Sequence, residues 1–468
     1  MRHPNRLASQ RLDWQQNPMF DRSPHRFVTG IVLPAMVCVA MVCVVAGCGD
    51  SAKKNAAPPS PAPGSTGATA DAEEANSSAA AKPVAPSIPQ TYEAAADDLL
   101  SMRLPIQESR QGWVRLFDGH TLFGWEIAGK ANWRIENNAI VVDGGDRSLL
   151  CTSMPWSDYE LELQFRADPE TNSGIFLRTP LQPTDPGTEC YEVNIAPPSN
   201  AFPTGMLVKR APADQQRTTP TSGDWQTLNI NANGDKIEVS IDGEAVNQWS
   251  DPNPLTRGRI GLQHNQGRVE FRDVRVRPLG MKELIDEKLT QWKSYPDMPG
   301  EFRYQDGSLR IEGGKNQLET RDSYADFVLL AHYELDAPET NTGIFFRCIP
   351  GDEMMGYECQ VNDARIDDNP LAPADTGTGG IFRRQQARVV AGDHGQPNAV
   401  LLVADGLHMA AWVNGIQVSD WYDDRQPNEN PRRGSRTKAG TVIIQAHDSE
   451  TKATYHSIQI AAIESPSS

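Results

Sequence analysis

The feature that most limits what this chain can become is an internal echo. Glu170-Thr171-Asn172-Ser173-Gly174-Ile175-Phe176-Leu177-Arg178 returns as Glu339-Thr340-Asn341-Thr342-Gly343-Ile344-Phe345-Phe346-Arg347. Each time a polar turn runs through glycine into a short apolar strand that ends on a cation. Each time a second strand with a carboxylate follows: Cys190-Tyr191-Glu192-Val193-Asn194-Ile195, then Gly356-Tyr357-Glu358-Cys359-Gln360-Val361. A motif that repeats together with its sequel marks a tandem duplication, so one fold must serve both halves. Side chains alternate faces along a strand. With Ile175 and Leu177 in a core, Arg178 falls on the opposite face, and so do Glu192 and Asn194 of the next strand. Pairing of the two strands would therefore bring Arg178 to Glu192, and Arg347 to Glu358, on a polar face.

Around these hairpins the pattern is β throughout. Tyr159-Glu160-Leu161-Glu162-Leu163-Gln164-Phe165-Arg166 alternates as a half-buried strand should, and Asp242-Gly243 is a hairpin signal. The 37 Gly and 35 Pro supply closely spaced turns. Many short strands without a long helix indicate all-β sandwiches, two in tandem. The first spans 111–280 and the second 299–464. Phe302-Arg303-Tyr304 answers Trp133-Arg134-Ile135, and Trp412-Val413-Asn414-Gly415 answers Ser240-Ile241-Asp242-Gly243. In the second half Phe327-Val328-Leu329-Leu330-Ala331-His332-Tyr333 replaces the alternating strand, and no counterpart of the Trp113–Trp125 opening is visible. Between the halves, 281–298 reads as a charged helical connector, and 91–110 as a short helical lead-in capping the first sandwich through Leu99, Leu100 and Met102.

The amino-terminal segment has a different purpose. Phe27 to Gly47 is an apolar run behind Arg22, His25 and Arg26, ending in Val45-Ala46-Gly47-Cys48. That is a signal peptide over 1–47 with a lipobox, which predicts export, cleavage and lipidation of Cys48, and hence a membrane-anchored lipoprotein. The competing reading is an uncleaved membrane anchor, since about 20 apolar residues cross a bilayer. Residues 48–90, rich in Ala, Pro, Ser and Gly, read as a disordered tether. The net charge of −17 argues against nucleic acid as a partner.

At Leu116-Phe117-Asp118-Gly119, Asn172–Arg178, Tyr191-Glu192-Val193 and Gly258-Arg259-Ile260-Gly261-Leu262-Gln263 the chain resembles the 3-keto-disaccharide hydrolase domain family. The second half carries the resemblance at Thr342–Arg347, Gly356–Cys359 and Trp412–Gly415. The resemblance implies a concanavalin A-like jelly-roll sandwich, of a kind common in planctomycete secretomes, acting on or binding a glucoside oxidised at C3. A ketone at C3 acidifies the C2 proton. A base removes it, an electrophile holds the enolate, the C1 substituent leaves, and water adds back. Glu358 with Arg347, and Glu192 with Arg178, are the candidate base and stabiliser. Arg383, Arg384, His447, Lys209, Arg210, His264 and Asn194 are candidates for substrate contacts, and the nearby Arg432-Arg433 favours the second copy. The other function class is a non-catalytic carbohydrate-binding module.

Two further expectations follow from the residues. Alternation carries Cys348 to the side of Phe346, and Cys359 to that of Tyr357, so the two thiols would face one another as a disulfide in an exported protein. No cofactor is indicated. No metal-ligand spacing stands out, although the loop carboxylates Asp367-Asp368 and Asp423-Asp424 could hold Ca²⁺.

Overall fold

The computed structural model describes residues 93–210 and 224–463. Cys48, the signal peptide and the tether lie outside them. Within them the chain builds two sandwiches with the same strand order.

In the first, a large sheet runs Glu244–Ser250, Lys236–Ile241, Gln226–Asn233, Tyr159–Ala167, Val269–Pro278, Ala139–Val142, Arg134–Glu136. A short strand, Val114–Arg115, also pairs with Val269–Pro278. It faces a five-stranded sheet ordered Trp125–Ala128, Ser148–Thr152, Arg259–His264, Ser173–Thr179, Tyr191–Ile195. The second sandwich repeats both sheets, and its small sheet ends in Thr342–Cys348 beside Tyr357–Val361. The pairs are antiparallel, including Ser173–Thr179 with Tyr191–Ile195 and Thr342–Cys348 with Tyr357–Val361. Tyr159–Ala167 buries every second residue between the sheets, as its alternation predicts.

The connector is not a helix. Lys282–Glu283 is a strand on Lys452–Ala462, and Trp292–Ser294 is a strand on Asn316–Thr320. These are the second copy's opening, which the sequence seemed to lack. The Trp125 indole donates to the Leu116 carbonyl at 2.6 Å, and the Trp292 indole donates to Leu284 at 2.7 Å. Thr121 donates its hydroxyl to Asp118, and Thr290 donates likewise to Asp286, at 2.5 Å in each case. Five charged side chains from Lys282 to Lys288 gave the segment its helical look. The aspartate that caps the turn and the tryptophan that plugs the core give it its shape.

The two sandwiches share a core. Val328, Leu330, Leu401, Val403, Ala410 and Trp412, on the outer face of the second large sheet, belong to the apolar cluster of the first sandwich. Trp412 packs on Trp156 with ring centroids 5.6 Å apart and donates to the Arg115 carbonyl at 3.0 Å. Arg388 reaches across to Asp118 at 2.8 Å and lies over the Phe123 ring. Residues 327–333 are therefore buried on both faces, which is why they do not alternate.

The lead-in also differs from expectation. It forms two short helices, Ala96–Ser101 and Ile106–Arg110. Leu99 is buried in the core of the second sandwich, and the Leu104 amide donates to Asn414 at 3.0 Å. The first helix thus closes the second sandwich, while the second helix meets the first sandwich through Ile106, packed on its core, and Glu108, paired with Arg275 at 2.5 Å.

Candidate active site

The hairpins keep half of their predicted arrangement. Tyr191, Val193 and Ile195 lie in the first core, and Tyr357, Cys359 and Val361 in the second. Glu192 and Glu358 accordingly stand on the outer faces of the small sheets. The arginines do not join them. Arg178 and Arg347 have φ of 49° and 50°, and the pairing register slips at each, so each is the extra residue of a β-bulge. The bulge turns the side chain towards the end of the sandwich. There Arg178 donates to the carbonyls of Ser157, Gly234 and Leu255 and to the Asp158 carboxylate. Arg347 does the same with Ala325, Gly406, Arg436 and Asp326. Both guanidiniums are fully buried and fully engaged. They staple loops together, and neither meets its glutamate. Gly258 and Gly440 face the bulges, where a Cβ would come within 2.2 Å of bulge backbone.

The same bulge undoes the predicted disulfide. Beyond Arg347 alternation restarts one residue late, so Cys348 joins Phe345, Met354 and Ile443 outside the sheet while Cys359 stays in the core. Both are free thiols.

The two glutamates differ in what surrounds them. Glu192 is buried and accepts from Gln263 Nε2 at 3.0 Å. Burial holds its pKa above the ordinary carboxylate value, and Arg147 and Gln263 offset part of the effect. Lys209 is paired with Asp185 at 2.9 Å and Arg210 with Asp251 at 3.1 Å. Asn194 donates to the Phe202 carbonyl. His264 is buried at the end of its strand, opposite Ser148, and burial lowers its pKa.

Glu358 instead opens on a cleft of about 390 Å³, whose lining includes Lys315, Gln360, Asp375, Arg432, Gln445 and His447. Its carboxylate is buried, with no hydrogen bond from any described residue. Desolvation pushes its pKa up to about 7 despite the opposing fields of Arg432 and Arg383. Two buried acceptors in the cleft are also without partners, Gln360 Oε1 and Gln445 Oε1. Gly343 leaves room for the acid, because a Cβ there would stand 2.7 Å from Glu358 Oε1. His447 is hydrogen-bonded to Asp448 at 2.7 Å on the rim. Arg383 and Arg384 line a smaller adjoining cleft that Glu358 also reaches.

Gln360 and Gln445 were missed in the sequence, though both carried a signal. Gln360 follows Glu358 by two residues and so shares its face, and Gln445 stands where the first copy has Gln263. Asp375 and Lys315 carried none, since they arrive from loops. Among the described residues no group of three or more His, Cys, Asp or Glu is placed to hold a metal. Asp423, one of the loop carboxylates singled out for Ca²⁺, is held by Arg425 at 2.7 Å and by the Tyr357 hydroxyl.

The model of the 3-keto-alpha-glucoside-1,2-lyase-like domain family matches residues 112–277 and again 280–461. The chain belongs to this family. A 3-keto-disaccharide hydrolase of Bacteroides thetaiotaomicron is 32% identical over 108 residues, which is 20% of this chain and 36% of that relative. The chain thus spans little more than a third of that relative's length. Among solved structures, a Parabacteroides distasonis protein assigned provisionally to the glycosyl hydrolases overlaps 38% of this chain and 99% of its own, at 18% identity and a TM-score of 0.34. The carbohydrate-binding module CBM66 of Bacillus subtilis overlaps 33% of this chain and 95% of its own, at 15% identity and a TM-score of 0.26. Membership in the family places one 3-keto-alpha-glucoside-1,2-lyase-like domain in each of the two jelly-roll sandwiches.

Proposed function

We propose that the second sandwich is a hydrolase of 3-keto-glycosides and that Glu358 is its base. The observation that carries this reading is a buried carboxylate, poised near neutral pH, that has no hydrogen-bond partner among the described residues and lies beside two amide oxygens equally without one. A base works best with its pKa near the working pH. Buried acceptors without donors suit the hydroxyls of a sugar. In the proposed reaction Glu358 takes the C2 proton, and the electrons left behind form the enolate of the C3 ketone. Arg432, the guanidinium that lines the cleft, faces the enolate oxygen in place of Arg347. The C1–O bond then breaks as C1=C2 forms, and His447 protonates the departing oxygen. Water adds at C1 and gives a proton to His447, while Glu358 returns its proton to C2. Stopping before water adds gives a lyase, and completing the addition gives a hydrolase.

The first sandwich fits the other class, a non-catalytic module, because Glu192 is already hydrogen-bonded and Lys209 and Arg210 are already paired. We also propose export, with lipidation of Cys48 tethering both sandwiches to a membrane through residues 48–90. Labelled palmitate incorporated by the wild type should be lost in Cys48→Ser, and label retained by that variant would refute the anchor.

The enzymatic test is release of aglycone from a chromogenic 3-keto-glucoside or of glucose from 3-keto-trehalose. The wild type should turn over, Glu358→Gln should lose about a hundredfold or more in kcat, and Glu192→Gln should stay within a few-fold. No release by the wild type, or full activity in Glu358→Gln, overturns the proposal.

A further inference from the structure

Beside the main cleft lies a second one of about 180 Å³, lined by Arg383, Arg384 and Arg432 together with Phe382, Pro431 and Glu358. None of the three guanidiniums has a carboxylate within ion-pair distance among the described residues. Arg384 donates only to the carbonyls of Arg383 and Arg432, and Arg432 only to that of Met354. Arg383 lies over the Phe382 ring, with its backbone in the left-handed region at φ 59°. In a chain with 61 acidic and 44 basic side chains, three unneutralised arginines around one cavity require an explanation.

The duplication supplies an internal control. Lys209 and Arg210 occupy in the first copy the places of Arg383 and Arg384. The residues before them match, since Val208 and Phe382 donate their amides to the carbonyls of Glu192 and Glu358, at 3.0 and 2.9 Å. Lys209 too has a left-handed backbone, at φ 58°. Yet Lys209 is neutralised by Asp185 and Arg210 by Asp251. The second copy retains the equivalent of Asp251 in Asp423, for Tyr191 donates its hydroxyl to the one at 2.8 Å and Tyr357 to the other at 2.7 Å. Asp423 is clamped instead by Arg425, through bonds of 2.7 and 2.8 Å, which leaves Arg384 unpaired. The longer loop between Asp423 and Gly440 adds Arg432. The pairing that closes the first copy has been taken apart in the second, and the freed charges all line one wall.

We infer that this small cleft is an anion subsite. It takes a carboxylate or sulfate carried by the substrate while the sugar ring occupies the main cleft against Glu358. The preferred substrates are then acidic 3-keto-glycosides; the word substrate rests on the function proposed above, whereas the anion site does not. Guanidiniums offer paired donors matched to planar or tetrahedral oxyanions, and the cleft wall limits competition from water. The charge can sit on the ring or on the aglycone, and both sources offer the same oxyanion.

Binding decides the matter without catalysis. Calorimetry of the full chain with two pairs, methyl glucuronoside against methyl glucoside and 4-carboxyphenyl glucoside against phenyl glucoside, should give at least about tenfold tighter binding of the acid in one pair at low salt. The preference should collapse in 0.5 M NaCl, as screening requires, and in Arg383→Gln, whose exposed side chain has the Phe382 ring as its one ring contact and makes no hydrogen bond among the described residues. Equal binding within both pairs, or a preference that survives Arg383→Gln, overturns the inference. Kinetics then locate the charge. A 3-keto-glucuronide turned over faster than the 3-keto-glucoside assigns it to the ring, and faster turnover of a 3-keto-glucoside of 4-hydroxybenzoate assigns it to the aglycone. Should neither ketone react, the enzymatic reading fails and the calorimetric result still stands or falls by itself.

Discussion

Replacing Glu358 by glutamine should remove activity and, at alkaline pH, add stability. In the folded chain burial lifts this carboxyl from its ordinary 4.5 to about 7. Below pH 4.5 the group is protonated in both folded and unfolded chains and imposes nothing. As the pH rises from 4.5 to 7 the unfolded chain gives up the proton while the folded chain keeps it, so the folded state loses ground. Above 7 the loss is complete. At about 1.36 kcal/mol for each pH unit of that interval, it amounts to about 3 kcal/mol. Glutamine never ionises and escapes the penalty. Urea unfolding of wild type and Glu358→Gln at pH 4.5 and at pH 8 measures it. The stability difference between the two proteins should move by about 3 kcal/mol in favour of the variant on going to pH 8. The same carboxyl sets the acid limb of kcat/KM, which should fall about tenfold per pH unit below 7. If the stability difference is unchanged between the two pH values, burial does not hold the proton on Glu358, and the argument for it as a base near neutrality collapses.

Gly343→Ala places a Cβ 2.7 Å from Glu358 Oε1, so the carboxylate must turn away. kcat/KM should fall about tenfold or more with the circular dichroism spectrum intact. Gly174→Ala, 3.2 Å from Glu192, should leave turnover as it is. Arg347→Met strips three carbonyls and Asp326 of a buried partner and should cost about 3–5 kcal/mol in urea unfolding. An Arg347→Met protein as stable as wild type but inactive would instead return Arg347 to catalysis. Alkylation of the denatured, unreduced protein should label both Cys348 and Cys359, and a peptide pair linked through them would contradict the bulge.

The sandwiches and their duplication were open to reading because strand alternation and turn residues are local, and Tyr159–Ala167 needs only its own sequence to declare which face is buried. The carboxylates were readable for the same reason. Nothing local announces that Arg178 or Arg347 takes a positive φ, and one extra residue in a strand reverses every assignment after it. That single slip produced both the expected Arg–Glu pair and the expected disulfide. At Lys282–Trp292 the repeat was present in Leu284, Asp286, Thr290 and Trp292, and the surrounding charges hid it. In Phe327–Tyr333 the loss of alternation is visible in the sequence, but its cause lies far off in the chain, in the surface of the other sandwich.

The face that the first sandwich covers on the second bears on how the molecule fails. A protease cutting between Pro278 and Lys282 would leave Trp412, Leu401 and Leu330 still under Trp156 and its neighbours, so the pieces should stay together as a nicked but working whole. Made separately, the second half would carry that apolar surface bare and invite aggregation. The duplicate has thus ceased to be a spare: the half that has kept its charges paired serves as the other's missing wall, and neither can be lost without the loss of both.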